Sequence, residues 1–355
     1  MMTTYQKVCP IALSDSPLCQ RSQSSVFSAA VKPRKYPRPI AIHSFPFQDR
    51  VLRRPVEPAA NSGNQQMLAM PTFEVRFHKR FGADFTENRA MSGASATIFQ
   101  NAEAYERIMG RWSRRLAPQL IQFGGLRDGE RVLDVGCGTG SLTFVLPEFA
   151  NVSAVVGVDL VEGYVEFAKS RNKDPRFRFQ QGDACNLPFE DKSFDRAYSM
   201  LVLHFIPDSE KAVSEMRRVV RPGGTITAAV WDEYGGLPHY RMLVDIAATL
   251  DSSVERRLFL PLTAPGEMEK LWRDLGMVNV EQTSLLVRME FSSFDDYWLP
   301  FTKGEGPPGR LVASLSEKTR AALQDHMRRA YIANRPDGPR SFACTAWACR
   351  GTLPQ

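Results

Sequence analysis

The residues with the clearest chemical potential are Asp134-Val135-Gly136-Cys137-Gly138-Thr139-Gly140, which follow the apolar run Val132-Leu133. Alternating glycines let a backbone turn sharply and approach a ligand without Cβ atoms in the way. Such a turn at the end of a strand can bring free N–H donors to a polar cofactor. Asp159 lies 19 residues after Gly140, where a carboxylate can accept hydrogen bonds from the two hydroxyls of a ribose. Gly182-Asp183-Ala184 offers a third acidic position, suited to the exocyclic amine of an adenine. The chemistry implied is the binding of a nucleoside cofactor.

Positioning these groups requires strands that end at each of them. The chain supplies apolar segments at 131–135, 154–158, 177–181, 194–201 and 225–231, alternating with helix-length segments. This alternation predicts an α/β sheet with parallel strands. Helices are expected at about Gly140–Phe149, Gly163–Arg171 and Asp208–Val219, the last capped by Asp208 or Ser209. A helix over Ala102–Phe123, with Pro118 placed to kink or divide it, opens the domain. Beyond Trp231 the pattern predicts helices at 239–250, 266–275 and 316–331 and strands at 278–289 and 341–350.

Asp134, Gly136, Gly138, Gly140, Asp159, the Gly-Asp-Ala at 182–184, Phe194-Asp195 and Arg221-Pro222-Gly223-Gly224 together resemble the class I S-adenosylmethionine-dependent methyltransferases. The resemblance is narrower to the ubiquinone/menaquinone-type group, methyltransferase type 11, and covers about Tyr105 to Trp231. It implies a doubly wound, mostly parallel seven-stranded Rossmann-like sheet with a helical lid, and S-adenosyl-L-methionine as cofactor. The residues matching Asp134, Gly136, Gly138 and Gly140, with Cys137 as a small packing residue among them, would surround the methionine part. Asp159 with Leu160, Asp183 with Ala184, and Leu201 would contact the ribose, the adenine and the methyl-donor end respectively. The stretch Tyr105–Trp112 is similar to a cofactor-covering helix, so Tyr105 and Arg111 are cofactor contacts or packing residues.

The sulfonium already activates the methyl group, so such a protein mainly holds nucleophile, carbon and sulfur in line. A general base is needed only for a protonated acceptor. His204 is the candidate base at the pocket mouth, against a structural histidine; Asp232 and His239 are weaker candidates. Catalytic residues are otherwise unassigned. No Cys/His/Asp/Glu spacing suggests a metal. The aromatics Trp231, Tyr240, Trp272, Phe291, Phe294, Tyr297, Trp298 and Phe301 suit either a lid over a small planar acceptor or ordinary core. Two other functions remain open. A nicotinamide-dependent oxidoreductase has a similar first turn, although Ser141 stands where its third glycine belongs. A non-catalytic cofactor-binding module would keep the same residues.

Charge and composition divide the 355-residue chain. Residues 1–90 hold 13 Lys and Arg against 6 Asp and Glu, and 9 of the 24 prolines; the rest is nearly neutral. The first part reads as a disordered basic extension. It could be an organellar transit peptide, a tail touching membrane or nucleic acid, or sequence upstream of a true start at Met91, Met67 or Met70. The domain is expected over 91–355, with a cofactor core at 131–231 and substrate-covering segments at 233–335. The basic balance belongs to the extension, so no nucleic-acid partner is expected for the domain. No apolar run reaches the roughly 20 residues of a membrane span, so stable membrane insertion is not expected. Six scattered cysteines suit reduced thiols in a cytoplasmic protein, with organellar import the alternative. Cys344 and Cys349 should point to opposite faces of one strand.

Overall fold

A computed structural model describes residues 102–254, 260–303 and 306–355. The basic extension, its candidate start sites and Cys9 and Cys19 lie outside the described residues. The chain enters through a short helix α1 (Ala102–Tyr105), a π-helical turn (Glu106–Gly110) and helix α2 (Arg111–Gly124). Strands β1 (Arg131–Val135) and β2 (Ala154–Asp159) flank the glycine turn, followed by α3 (Glu162–Arg171) and β3 (Phe177–Gln181). β4 (Phe194–Met200), α4 (Ser209–Val219) and β5 (Val220–Trp231) complete the parallel part. Then come α5 (Pro238–Leu250), α6 (Glu267–Asp274) and β6 (Val278–Phe291). The chain closes with α7 (Phe294–Trp298), α8 (Gly306–Ser314), α9 (Glu317–Ile332) and β7 (Arg340–Thr352).

The seven strands form one sheet in the order β3-β2-β1-β4-β5-β7-β6. β1 to β5 pair in parallel, and β7 is antiparallel to both β5 and β6. The sheet is mostly parallel, as expected, and is made mixed by the long antiparallel strand β7. Residues of period two alternate between its faces. Val132, Val155, Tyr198 and Ala229 enter one core with Leu116, Leu120 and Leu243; Leu133, Val156, Ala197 and Ala228 enter the other with Val213, Met216 and Trp272. Cys344 and Cys349 fall in opposite cores, as the strand spacing requires.

The helix expected from Gly140 to Phe149 is only a tight 3₁₀ turn, Thr143–Glu148. Pro147 lies inside it and lacks an N–H, and proline disfavours helical geometry at the residue before it. The first helix is interrupted by the π turn rather than at Pro118, which sits within α2 without dividing it. Asp208 caps α4 by accepting the Lys211 N–H at 2.8 Å, and Ser316 caps α9 rather than beginning it.

The C-terminal end of α2 is tied to the sheet by a buried ion pair. Arg196 of β4, 3% exposed, meets Glu130 at 2.8 and 3.0 Å and donates to the carbonyls of Gly124 and Gly125. Removing one partner of such a pair strands the other charge, at about 3–5 kcal/mol. Arg196→Ala is expected to lower unfolding free energy by about 3 kcal/mol in urea titrations, whereas Arg221→Ala, at the exposed Asp195 pair, should change it by under about 1 kcal/mol.

Candidate active site

The strand order reverses between β1 and β4, so their carboxyl ends part and open a crevice. A cavity of about 430 Å³ occupies it, bounded by the ends of β1, β2, β4 and β5, the loop after β3, and residues of the first helix, α5, α7 and α8. Of the twelve residues expected at the cofactor, ten line it: Tyr105, Asp134, Gly136, Cys137, Gly138, Asp159, Leu160, Asp183, Ala184 and Leu201. Arg111 does not. Its guanidinium pairs with Asp296 at 3.0 Å and lies over the rings of Trp112 and Phe291, joining α2 to α7. Gly140 sits behind the loop, against Phe144.

The glycine turn is held by main-chain bonds. The N–H groups of Gly136 and Cys137 both donate to the Val158 carbonyl, at 2.7 and 3.0 Å. Asp159 accepts from Gly138 N–H at 2.8 Å and from Val161 N–H at 2.9 Å, which leaves each carboxylate oxygen a lone pair for a diol. Gly136 and Gly138 have φ of +71° and +53°, the left-handed region. A Cβ on Gly136 would strike Val202 at 2.4 Å, whereas one on Gly138, which lines the cavity, would meet nothing within 4 Å. Leu201, at the end of β4, also has positive φ (+64°) and is held there by its N–H donating to Ala229 at 2.7 Å. A non-glycine residue in this conformation stores about 1–3 kcal/mol of strain, a cost that concentrates at functional sites.

Asp134 is 1% exposed; one carboxylate oxygen accepts from Thr143 Oγ1 at 2.6 Å and the other has no partner among the described residues. Burial pushes its pKa up to about 7. Ser141 Oγ is likewise buried without a partner. Asp183 accepts the Cys185 N–H at 2.8 Å. Burial raises the Cys137 thiol well above its ordinary range, which suits a packing residue and not a nucleophile.

Much of the remaining lining is aromatic. Trp231, Tyr240, Phe291, Tyr297 and Phe301 line the cavity, while Trp272, Phe294 and Trp298 are core. His204 is not among the cavity-lining residues: it is 2% exposed, its ring tilted against Phe205 at 4.0 Å, and burial lowers its pKa to about 3. Neither ring nitrogen has a partner among the described residues. Asp232 caps its own turn, accepting the N–H groups of Tyr234 and Gly235. His239 does reach the cavity, with Nδ1 3.4 Å from Cys344 Sγ and its pKa lowered to about 4 by burial.

Two residues were not expected. Glu106, in the π turn, accepts from Thr139 Oγ1 of the glycine loop and pairs with Arg114 and Arg171, fastening the covering helix to the cofactor turn. Glu233, one residue past Asp232, lines the cavity; burial and the neighbouring Asp232 push its pKa up to about 7. Its position immediately after a strand end was the available signal.

These residues fit S-adenosylmethionine. The unpartnered Asp134 oxygen can accept from an ammonium, the Ser141 hydroxyl can donate to a carboxylate, and the open space at Gly138 admits a ligand against the backbone. The lining carries Asp134, Asp159, Asp183, Asp208 and Glu233, and no Lys or Arg among the described residues. That suits a cofactor bearing sulfonium and ammonium charges and opposes a pyrophosphate. The short 3₁₀ turn after the glycines further withholds the helix N-terminus that a dinucleotide uses.

Fold and cavity together define a class I methyltransferase. Residues 133–228 match the family model described as a methyltransferase domain. The demethylmenaquinone methyltransferase of Staphylococcus aureus is 29% identical over 223 residues, which are 56% of this chain and 90% of that protein. Among solved structures, the YcgJ protein of Bacillus subtilis is similar at 20% identity and a TM-score of 0.46, covering 68% of this chain and 99% of that one. The chain carries a methyltransferase domain of the type 11 group and is an S-adenosylmethionine-dependent methyltransferase.

Gly138→Ala places a methyl in cavity space and forces a left-handed alanine, so stability should drop only about 1–2 kcal/mol. Calorimetry should show S-adenosylhomocysteine affinity falling more than tenfold in that variant; unchanged affinity would remove Gly138 from the cofactor site. Asp134 has a folded pKa above its unfolded value, so by itself it withdraws stability as pH rises from about 4 to about 7. Asp134→Asn should therefore raise the melting temperature at pH 8 while weakening S-adenosylhomocysteine binding, and it should abolish the loss of wild-type affinity below pH 7.

Proposed function

We propose that the chain transfers the methyl group of S-adenosylmethionine to a small organic acceptor bound in the aromatic half of the cavity. The observation that carries this is continuity: one cavity runs from the glycine turn and Asp159 to Trp231, Phe291, Tyr297 and Phe301. A chamber of about 430 Å³ is the size of small-molecule sites, and these are mostly apolar with a few polar groups. In this reading residues 91–355 form the catalytic domain, 131–231 hold the cofactor, and 233–335 cover the acceptor. Tyr105, Asp134, Gly136, Cys137, Gly138, Asp159, Leu160, Asp183, Ala184 and Leu201 are its cofactor contacts.

The acidic lining disfavours a phosphate backbone, which supports a small molecule over nucleic acid as the partner. No helix among the described residues is long and apolar enough to cross a membrane. Four free cysteines among the described residues, three of them buried, are in keeping with a reducing compartment, and we place the protein in the cytoplasm.

The test is direct. S-adenosylhomocysteine should bind the purified protein with micromolar or tighter affinity by calorimetry, and NAD or NADP should not. Homocysteine-nucleoside release with methylated product, on a panel of small phenols, amines, quinones and carboxylic acids, should follow. Dinucleotide binding without S-adenosylhomocysteine binding overturns the reading, and cofactor binding without turnover of any acceptor would instead favour a non-catalytic module.

A further inference from the structure

The acceptor half of the cavity contains one feature that aromatic packing does not explain. Glu233 lines the cavity from the segment after β5, together with Trp112 of α2, Tyr240 of α5, Phe291 of β6 and Tyr297 of α7. Its carboxylate has neither an ion pair nor a hydrogen bond among the described residues. The charged and titratable groups facing this region are few. Asp232 adjoins Glu233 and raises its pKa; Tyr240 of α5 feels Glu233 on one side and Arg310 of α8 on the other. Arg310 is exposed and does not line the cavity. His239 is held uncharged near neutrality by burial. Glu233 is half-buried, and a carboxylate partly withdrawn from water with no cation beside it favours a cationic ligand that completes it.

The charge flow of methyl transfer discriminates between acceptors. With a phenol or carboxylic acid, the nucleophile is an anion that must be formed or held in a cavity lined by five acidic residues and no Lys or Arg among the described residues. With an amine, the nitrogen lone pair forms the new C–N bond as the C–S bonding pair passes to sulfur. The positive charge then moves from sulfonium to nitrogen and never leaves the acidic cavity. Trp231 and Tyr240 add aromatic rings to the lining, and such rings attract an ammonium.

We propose that Glu233 selects a small primary or secondary amine as the methyl acceptor and takes its proton. This rests on the methyl-transfer reading above. The amine arrives as an ammonium paired with the carboxylate; one proton passes to Glu233, giving a neutral amine and a carboxylic acid. The freed lone pair attacks the methyl carbon, S-adenosylhomocysteine leaves as a neutral thioether, and the product departs as a methylated ammonium. Glu233 then returns its proton to water. A carboxyl that titrates at about 7 is nearer an amine in basicity than an ordinary glutamate, as this transfer requires.

Phenethylamine, N-methylphenethylamine, 4-ethylphenol and phenylacetate are probes of one size that differ in the group presented. With the full chain and S-adenosylmethionine, the two amines should be methylated at least tenfold faster than the phenol, and phenylacetate not at all. With S-adenosylhomocysteine bound, calorimetry should show the same order of binding. Glu233→Gln should lower amine kcat/KM at least a hundredfold, erase its rise with pH through about 7, and leave S-adenosylhomocysteine affinity unchanged. If S-adenosylhomocysteine binds normally but the phenol or phenylacetate is preferred, the proposal is wrong. It is equally overturned if no amine is bound or methylated, or if Glu233→Gln matches wild type. Loss of S-adenosylhomocysteine binding in the wild-type chain would overturn the methyl-transfer reading itself.

Discussion

Asp159 accepting the Gly138 N–H at 2.8 Å is the contact on which the site depends. It joins the end of β2 to the turn after β1, across the parallel pair that runs from Arg131↔Ala154 to Val135↔Val158. With the Gly136 and Cys137 amides bound to the Val158 carbonyl, it fixes the turn against the strand ends before any ligand arrives. Everything else at the cavity is placed relative to that turn. Thr139, within it, gives the covering helix its anchor through Glu106, and Gly136 packs so closely on Val202 that the segment after β4 must follow the turn. Preorganisation of this kind reduces the ordering that binding would otherwise require.

The second constraint is electrostatic. Five carboxylates line one cavity with no opposing Lys or Arg among the described residues, and three of them, Asp134, Asp159 and Glu233, have pKa values raised chiefly by burial. The unliganded fold is therefore unfavourable to itself at this place, and the natural relief is a positively charged ligand. Three arginines of the surrounding helices are held in ion pairs: Arg111 with Asp296, and Arg114 and Arg171 with Glu106. An electrically acidic site for a sulfonium follows from where the arginines are spent as much as from where the aspartates stand.

The sheet and most of the cofactor half were legible in the sequence, because both depend on short-range regularity. Short apolar runs at 132–135, 155–158 and 225–231 mark strands buried on both faces, and the acidic residues Asp134, Asp159 and Asp183 sit at or beside strand ends. What was illegible depends on contacts distant in sequence or on a rotation of one residue. Glu106 meets Thr139 across 33 positions, and Arg111 meets Asp296 across 185. His204 follows Leu203 in a 3₁₀ turn that rotates it into the core and away from the cavity. Asp232 and Glu233 are adjacent acids, and only the turn closed by the Asp232 side chain decides that the second, not the first, faces the chamber. Pro147 was visible, but the strength of the βα pattern argued for a full helix against it.

The costs in this fold are gathered at one end. Leu201 in a left-handed conformation, two buried acids of raised pKa and the partnerless oxygens of Asp134 and Ser141 all border the cavity. The opposite end of the sheet is built for stability: Arg196 and Glu130 are enclosed and fully bonded, and β5, β7 and β6 close the edge with a twelve-pair antiparallel ladder between β6 and β7. Consistency among propensity, packing and polar satisfaction is the usual condition of a stable fold, and departures from it concentrate where function demands them. Here the departures at the cavity are chiefly carboxylates: Asp134, Asp159 and Glu233 have raised pKa values, and no Lys or Arg among the described residues lines the chamber beside them. A lining of that sign suits the sulfonium and ammonium charges of the cofactor.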